Sequence, residues 1–404
     1  MTLSKQHLVI APLLIVTFEI LTYLSMDMYL PALPYLSHAF SVPTTWIKAT
    51  ITLWFLGSAS MQLFVGPLTD RLGSRTVLIS GAIIFAVGTL LCYSAIAISW
   101  FLLGRLLQGV IVCFVVVAGY TFIHAALDHK QAVKTVAWMN AVTIAAPAGG
   151  PLIGGLIIHI SAWQNIFLAL FVASLLLLSC LITWLPKADH TASADKPPSL
   201  GRILCNYGQI VRTPHFLSPT LILCILFAGM IIWITAAPFL IIDRFNYSPL
   251  IFGCLQATVF ISLMIGTRLM HTLYKYLDDY PIIVIGCLAS LAGSLLVTLS
   301  ALFTDGQLII IIAGMMLIAF GFGVANSNLQ RLAVESVSHP MGQRMAVFFS
   351  AFSWAGVAGS QVTAMVYSGH ILPLGLAMLA LMVVANLGLL GKKWLVYKQP
   401  LKEG

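Results

Sequence analysis

FLSPTLILCILFAGMIIWITAAPFLII, residues 216–242, runs for 27 residues without an Asp, Glu, Lys or Arg. A hydrocarbon core of about 30 Å needs roughly 20 helical residues, so this stretch is long enough to cross a bilayer. Its apolar residues are continuous rather than alternating, which reads as a spanning helix and not as a strand of a barrel. Working outward, eleven more segments have the same character: 8–36, 45–68, 76–96, 99–126, 131–158, 163–186, 248–271, 279–303, 306–335, 341–366 and 371–396.

Composition agrees. The 404 residues are 60% hydrophobic and 8% charged, with a mean hydropathy of +1.00. A soluble domain carries about 25% charged residues, so this chain cannot cover a water-facing surface. Lipid then allows only helices or closed barrels, and the expected fold is all-α, with twelve transmembrane helices. The first segment contains Glu19 and Asp27, is too long for a signal h-region and lacks a cleavage site of the A-x-A kind, so it is expected to be retained. The seven cysteines are scattered without a C-x-x-C pair, and neither a metal site, a cofactor nor a disulfide framework is expected.

The formal charge of +8 does not point to nucleic acid, because the basic residues lie in short loops and tails between apolar runs. With the N-terminus placed inside, all of the 20 Lys and Arg except Lys48, Arg105 and Arg244 fall on the cytoplasmic side. Both termini are therefore expected in the cytoplasm. Residues 187–215 are polar and hold Pro-Pro, and they read as a linker between a bundle of six helices (1–186) and a second of six (216–404).

Three charges sit inside the expected spans: Glu19, Asp27 and Arg105. Burying a charge in a bilayer costs at least ~2.5 kcal/mol on insertion scales, which makes each a functional candidate. Glu19, Tyr23 and Asp27 are spaced i, i+4, i+8, a slanting polar stripe about 12 Å long. Asp27 and Arg105 lie at similar depths, so an ion pair between them is geometrically possible, either as a structural lock or as part of proton coupling. Glu19 lies nearer mid-membrane, where low dielectric disfavours an isolated carboxylate, as a proton carrier requires. Near the inner end of the tenth segment, Arg331 and Glu335 are spaced for a structural or gating pair. No nucleophile–base set or metal-ligand spacing is present, and an enzyme is not expected.

Two further runs carry a signature. GPLTDRLGSR, residues 66–75, follows the second segment, and its Asp70, Arg71 and Arg75 can pair with each other or with a helix terminus. APAGGPLIGG, residues 146–155, packs small residues and both Pro147 and Pro151 into the fifth segment, where close helix approach and a weakened backbone ladder are expected. The first resembles the loop signature G-x-x-x-D-R-x-G-x-R of the major facilitator superfamily, at Gly66, Asp70, Arg71, Gly73 and Arg75, with Ser74 where a second basic residue is usual. The second resembles that superfamily's helix 5 antiporter signature, at Gly150, Pro151 and Gly154. RLLQG, residues 105–109, resembles its helix 4 motif. FEILTYLSMDMYLPAL in the first segment and GVANSNLQRL in the tenth are similar to the MdfA/Bcr-type multidrug–proton antiporters, whose acidic pair is matched by Glu19 and Asp27. The C-terminal counterpart of the loop signature is nearly erased.

The resemblance implies a cavity between the halves lined by Tyr23, Met26, Gln108, Tyr120 and Asn140, with Trp233 and Pro238 opposite and Asn326 and Asn328 from the tenth helix. It implies proton coupling through Glu19, Asp27 and Arg105. It implies conformational gating through the loop and helix 5 motifs and through Arg331 and Glu335. The expected activity is proton-coupled export of amphipathic small molecules, such as drugs or secreted metabolites including siderophores, by a monomer in lipid at the bacterial inner membrane. Import of one specific nutrient on the same fold is the alternative. A membrane sensor or scaffold would need a large soluble output domain, and no stretch of this sequence reads as one.

Overall fold

The computed structural model describes residues 5–127, 129–186, 200–303 and 306–390, and among them it is helical without strands. The helices are α1 (Lys5–Asp27), α2 (Leu33–Phe40), α3 (Thr44–Met61), α4 (Val65–Leu72), α5 (Ser74–Tyr93), α6 (Ile98–Cys113), α7 (Gly119–Ala126) and α8 (His129–Ile160). They continue as α9 (Gln164–Trp184), α10 (Leu200–Arg212), α11 (Pro214–Pro238), α12 (Pro249–Leu273), α13 (Asp279–Phe303), α14 (Leu308–Glu335), α15 (Met341–Val366) and α16 (Ile371–Leu390). Ten stretches among the described residues are long and apolar enough to cross a membrane, eleven if α3 and α4, bent by 55°, are one crossing. The expected fifth segment corresponds to α8, whose Ala145–Ile160 is apolar.

The first crossing is not one continuous helix, as 8–36 read. It stops at Asp27, passes through a 3-10 turn at Leu30–Ala32 and resumes as α2. Pro31 lacks the N–H that would donate to Asp27 O and continue the ladder, while Pro34 falls in the first turn of α2, where a missing N–H is tolerated. Two other crossings loosen into π-helix, at Phe114–Ala118 between α6 and α7 and at Phe239–Arg244 after Pro238. Gly73, at φ 82°, ends α4 in a conformation that favours glycine.

Helices up to α9 pack among themselves: α3 on α6, α5 on α6 and α9, and α1 on α8, α9 and α6. Helices from α11 onward do likewise, with α14 on α11, α12 and α13, and α16 on α11 and α13. The two sets meet along α8 with α12 and α3 with α15. Along the second seam Thr52 and Ser360 share a hydrogen bond of 2.9 Å, and Ser58 and Ser353 one of 3.0 Å. Hydroxyls satisfied in pairs this way hold helices together where no hydrophobic driving force exists between them and lipid.

The expected linker is helical in part. Its second part is α10, with Ile203, Tyr207 and Ile210 buried at i, i+4, i+7, the spacing of one helix face; residues 187–199 lie outside the described ones. This helix touches both sets. The Tyr207 hydroxyl donates to Leu63 O at 3.1 Å, and Asn206 Nδ2 donates to Gln343 Oε1 at 2.9 Å.

Close approach of α3 and α6 depends on glycine, because a Cβ on Gly109 would sit 1.9 Å from Trp54 O. Gly109→Val is expected to lower Tm in detergent by several degrees, consistent with an overpacking cost of ~1–3 kcal/mol. Gly66→Ala, with nothing within 4 Å of its Cβ direction, is expected to leave Tm unchanged; equal melting curves for the two variants would contradict this packing.

Candidate functional site

The break in α1 creates the site. A helix end leaves carbonyls of its last turn without intrahelical donors, and these carry partial negative charge. Arg105, fully buried on α6, meets them: Nη1 donates to Ser25 O at 2.8 Å and to Gln108 Oε1 at 2.6 Å. Nη2 lies 3.4 Å from Met26 Sδ, and the guanidinium stacks 4.0 Å from the Tyr29 ring centre. The network extends outward. Gln108 Nε2 donates to Thr89 Oγ1 on α5 at 2.9 Å, and the Tyr29 and Thr50 hydroxyls are 3.0 Å apart.

Asp27 is the last residue of α1 and is 4% exposed. The ion pair to Arg105 that matching depths allowed is not formed. The guanidinium is taken up by the Ser25 carbonyl and Gln108, so its charge acts on Asp27 only from beyond ion-pair distance. The Asp27 carboxyl makes no hydrogen bond or ion pair with any described residue. Its backbone is clasped by the helix 5 signature: a Cβ on Gly150 would lie 2.5 Å from Asp27 Cβ, and one on Gly154 would lie 1.7 Å from Met28 O. Only glycine lets α8 come this near. Pro151, between them, is buried, and Pro147 is half-buried one turn earlier.

Glu19, two turns before Asp27 on α1, is buried and within electrostatic reach of Tyr120 on α7. Tyr23 and Tyr120 are half-buried. Met26 and Gln108 are not cavity-facing as expected, since both are buried and engaged with Arg105. Asn140 lies outside the described side chains. In the other set Trp233 is buried and its indole N–H donates to Gln256 Oε1 at 2.9 Å, while Gln256 Nε2 is buried without a partner. Pro238 is buried and Asn326 half-buried. Asn328, two residues on, faces away from Asn326 and accepts from the Tyr274 hydroxyl, within its own set rather than toward a central cavity.

The gating candidates divide. Arg75 does not pair with Asp70 but caps α9, donating at 2.7 Å to each of Leu185 O and Ile182 O. Asp70 and Arg71 are exposed; the Asp70 carboxylate is near Tyr207, whose phenol is pushed up by burial and by that charge. Arg331 does not pair directly with Glu335. Its partner is Asp279 at 2.5 Å, which also accepts from the Tyr274 hydroxyl at 2.8 Å. Burial and this hydrogen bond push the Tyr274 phenol up to about 12, so it stays a donor. Tyr274, Asp279 and Arg331 thus stand where the second loop signature is erased.

Sequence reasoning missed two residues. Lys48, four residues into α3, looked like a helix-end charge but is buried, and it donates to Tyr367 O of the other set at 2.9 Å. Gln256 was one amide among many apolar residues, and its pairing with Trp233 is not local in sequence.

The family model described as Major Facilitator Superfamily matches residues 15–360. The chain is 30% identical over 325 residues to the chloramphenicol resistance protein CraA of Acinetobacter baumannii, covering 80% of this chain and 78% of that one. It is 29% identical over 331 residues to the multidrug transporter MdfA of Edwardsiella piscicida, covering 82% and 80%. The partially occluded inward-open structure of the xylose transporter XylE from E. coli superposes with a TM-score of 0.72, over 97% of this chain and all of that one, at 15% identity, which shows a shared fold.

Arg105→Met is expected to destabilise the fold by ~3 kcal/mol or more, because it strips the donors from Gln108 and from the carbonyls at the α1 break. Asp27→Asn should melt within ~1 kcal/mol of wild type, since no hydrogen bond is lost. Comparable destabilisation by both, read as Tm in detergent, would show that Asp27 is part of the structural network.

Proposed function

We propose, for a chain that belongs to the Major Facilitator Superfamily, that it is a proton-coupled secondary transporter exporting amphipathic small molecules across the bacterial inner membrane. The observation that carries this reading is the clasp. A buried carboxyl at a helix break is gripped through its backbone by Gly150 and Gly154, while its side chain is left without a hydrogen bond. Such a group takes up and releases a proton without breaking a structural bond, and each change alters the charge beside a mobile helix. The named activities of CraA and MdfA support drugs, chloramphenicol among them, as cargo.

In this reading residues 1–186 and 216–404 are the two six-helix halves, α8 is the fifth of twelve crossings, and both termini are cytoplasmic by the distribution of Lys and Arg. The halves meet at the end away from the N-terminus, and at the other end α10 bridges them. At the former end the Leu30–Ala32 turn packs on α11 and α12, and Lys48 reaches Tyr367. At the N-terminal end, Thr121, His124 and Ser327 are exposed. We read this arrangement as an inward-facing state, with Glu19, Tyr23 and Tyr120 on the cytoplasmic side of Asp27 along the first and fourth crossings. Protonated and deprotonated Asp27 favour different halves of the cycle, with Glu19 the second protonatable group and Asp70 and the Tyr274–Asp279–Arg331 cluster latching the inner ends. The transporter acts as a monomer.

In proteoliposomes an imposed pH gradient should drive chloramphenicol uphill. Asp27→Asn should cut gradient-driven flux by about tenfold or more and leave downhill exchange. Asp279→Asn should slow turnover with little change in Kd, and Glu335→Gln should do neither. Undiminished uphill flux by Asp27→Asn would overturn the coupling role.

A further inference from the structure

Lys48 is the one buried basic residue besides Arg105 among the described residues. Its ammonium donates to Tyr367 O at 2.9 Å and lies 4.8 Å from the Tyr367 ring centre and 5.8 Å from that of Phe239. No carboxylate of a described residue comes within ion-pair distance of it. A carbonyl and two aromatic faces hold a cation in place but leave its charge uncancelled. An ionisable residue placed like this inside a membrane protein marks a pathway more often than it supports a fold.

Lys48 lines a cavity of about 380 Å³ at the end of the molecule where the two sets are closed. Arg244 lines the same cavity and donates to Gly369 O at 2.9 Å, and Asp243 supplies a single acid. Phe239, which also lines the cavity, lies six residues and about 9 Å beyond Trp233 along the same crossing. In the exporter reading, cargo that leaves between the halves at this end passes the Lys48–Tyr367 contact, which joins them. Two cations and one anion therefore stand at the exit, whereas Glu19 and Asp27 stand along the entry.

We propose that Lys48 is a charge filter at the outer gate, which slows the export of cationic cargo relative to neutral cargo of similar size. This rests on the exporter reading and narrows its substrate class: molecules that are neutral or carry an acceptor-rich or anionic group pass the exit, and permanent cations that bind inside are held back. The filter acts at release and not at loading, because Lys48 is at the far end of the path from the cytoplasmic opening. A purely mechanical bolt would affect every cargo alike.

The test uses the purified full chain in proteoliposomes with an imposed pH gradient. The probes are chloramphenicol, which is neutral, and tetraphenylphosphonium, a permanent monovalent cation. Lys48→Met removes the charge at nearly constant volume, and Lys48→Gln is a second neutral variant in case the first folds poorly. Both are expected to raise kcat/KM for tetraphenylphosphonium about tenfold relative to chloramphenicol, with the Kd of each probe unchanged. Tenfold corresponds to ~1.4 kcal/mol, between the values for a unit charge pair in water and near a protein surface. Lys48→Arg keeps the charge and should keep the wild-type ratio. A ratio that moves less than about twofold in the neutral variants, or that moves as far in Lys48→Arg, overturns the filter. Absence of gradient-driven flux of both probes in the wild type counts against the exporter reading itself and takes the filter with it.

Discussion

Helix α1 ends at Asp27, and much of the N-terminal half follows from that break. A helix interrupted inside a bilayer leaves backbone carbonyls that water cannot reach, and they must find donors in the protein. Arg105 is that donor. Its position at the Ser25 carbonyl explains why a guanidinium is tolerated at full burial, why Gln108 must turn its oxygen inward, and why Thr89 on α5 is needed to hold the other end of that amide. The arginine that looked like a counter-ion for Asp27 is spent on the backbone instead. Asp27 is thereby left as a buried acid near positive charge but not bound to it.

The glycines of α8 belong to the same constraint. Gly150 and Gly154 allow the backbones of α8 and the broken segment to touch, and the neighbouring face of α8 lies against α12 of the other half. A change at Asp27 is therefore one helix away from the interface between halves. Glycine's role here is steric: it makes the contact between α8 and the segment carrying the acid direct, where a side chain would separate them. The C-terminal half is built otherwise. It has a polar but uncharged pair within the span, Trp233 with Gln256, and its charges lie at helix ends, among them the Tyr274–Asp279–Arg331 cluster at one end and Asp243 and Arg244 at the other. Charged side chains buried within the span, Glu19, Asp27 and Arg105, are concentrated in one half.

Much of this was legible in the sequence where the signal is local. Uninterrupted apolar runs such as 216–242 announce crossings, and the order of the loop, helix 4 and helix 5 motifs announces the fold. The break after Asp27 was also written locally, in Pro31, but hydropathy alone reads through it. What sequence could not show is pairing between distant segments. Arg331 had a plausible partner four residues away in Glu335, yet Asp279, 52 residues away, takes it. Lys48 looked like an interfacial lysine because it is only four residues into α3; its burial depends on Tyr367 from the other half. The helix in the linker was hidden because three apolar positions, 203, 207 and 210, are a short signal beside Gly, Pro and charge.

The central claim is that Asp27 at the α1 break is the group whose proton exchanges with cargo. The most direct measurement is the number of protons released when chloramphenicol binds to the purified protein in weakly buffered detergent solution, followed with a pH-indicating dye across a range of starting pH. The account predicts release by the wild type, rising toward the pH where the acid is mostly protonated in the empty protein, and almost none from Asp27→Asn at equal occupancy. Equal proton release from the two proteins would show that the carrier lies elsewhere and that the clasp around Asp27 serves the fold alone.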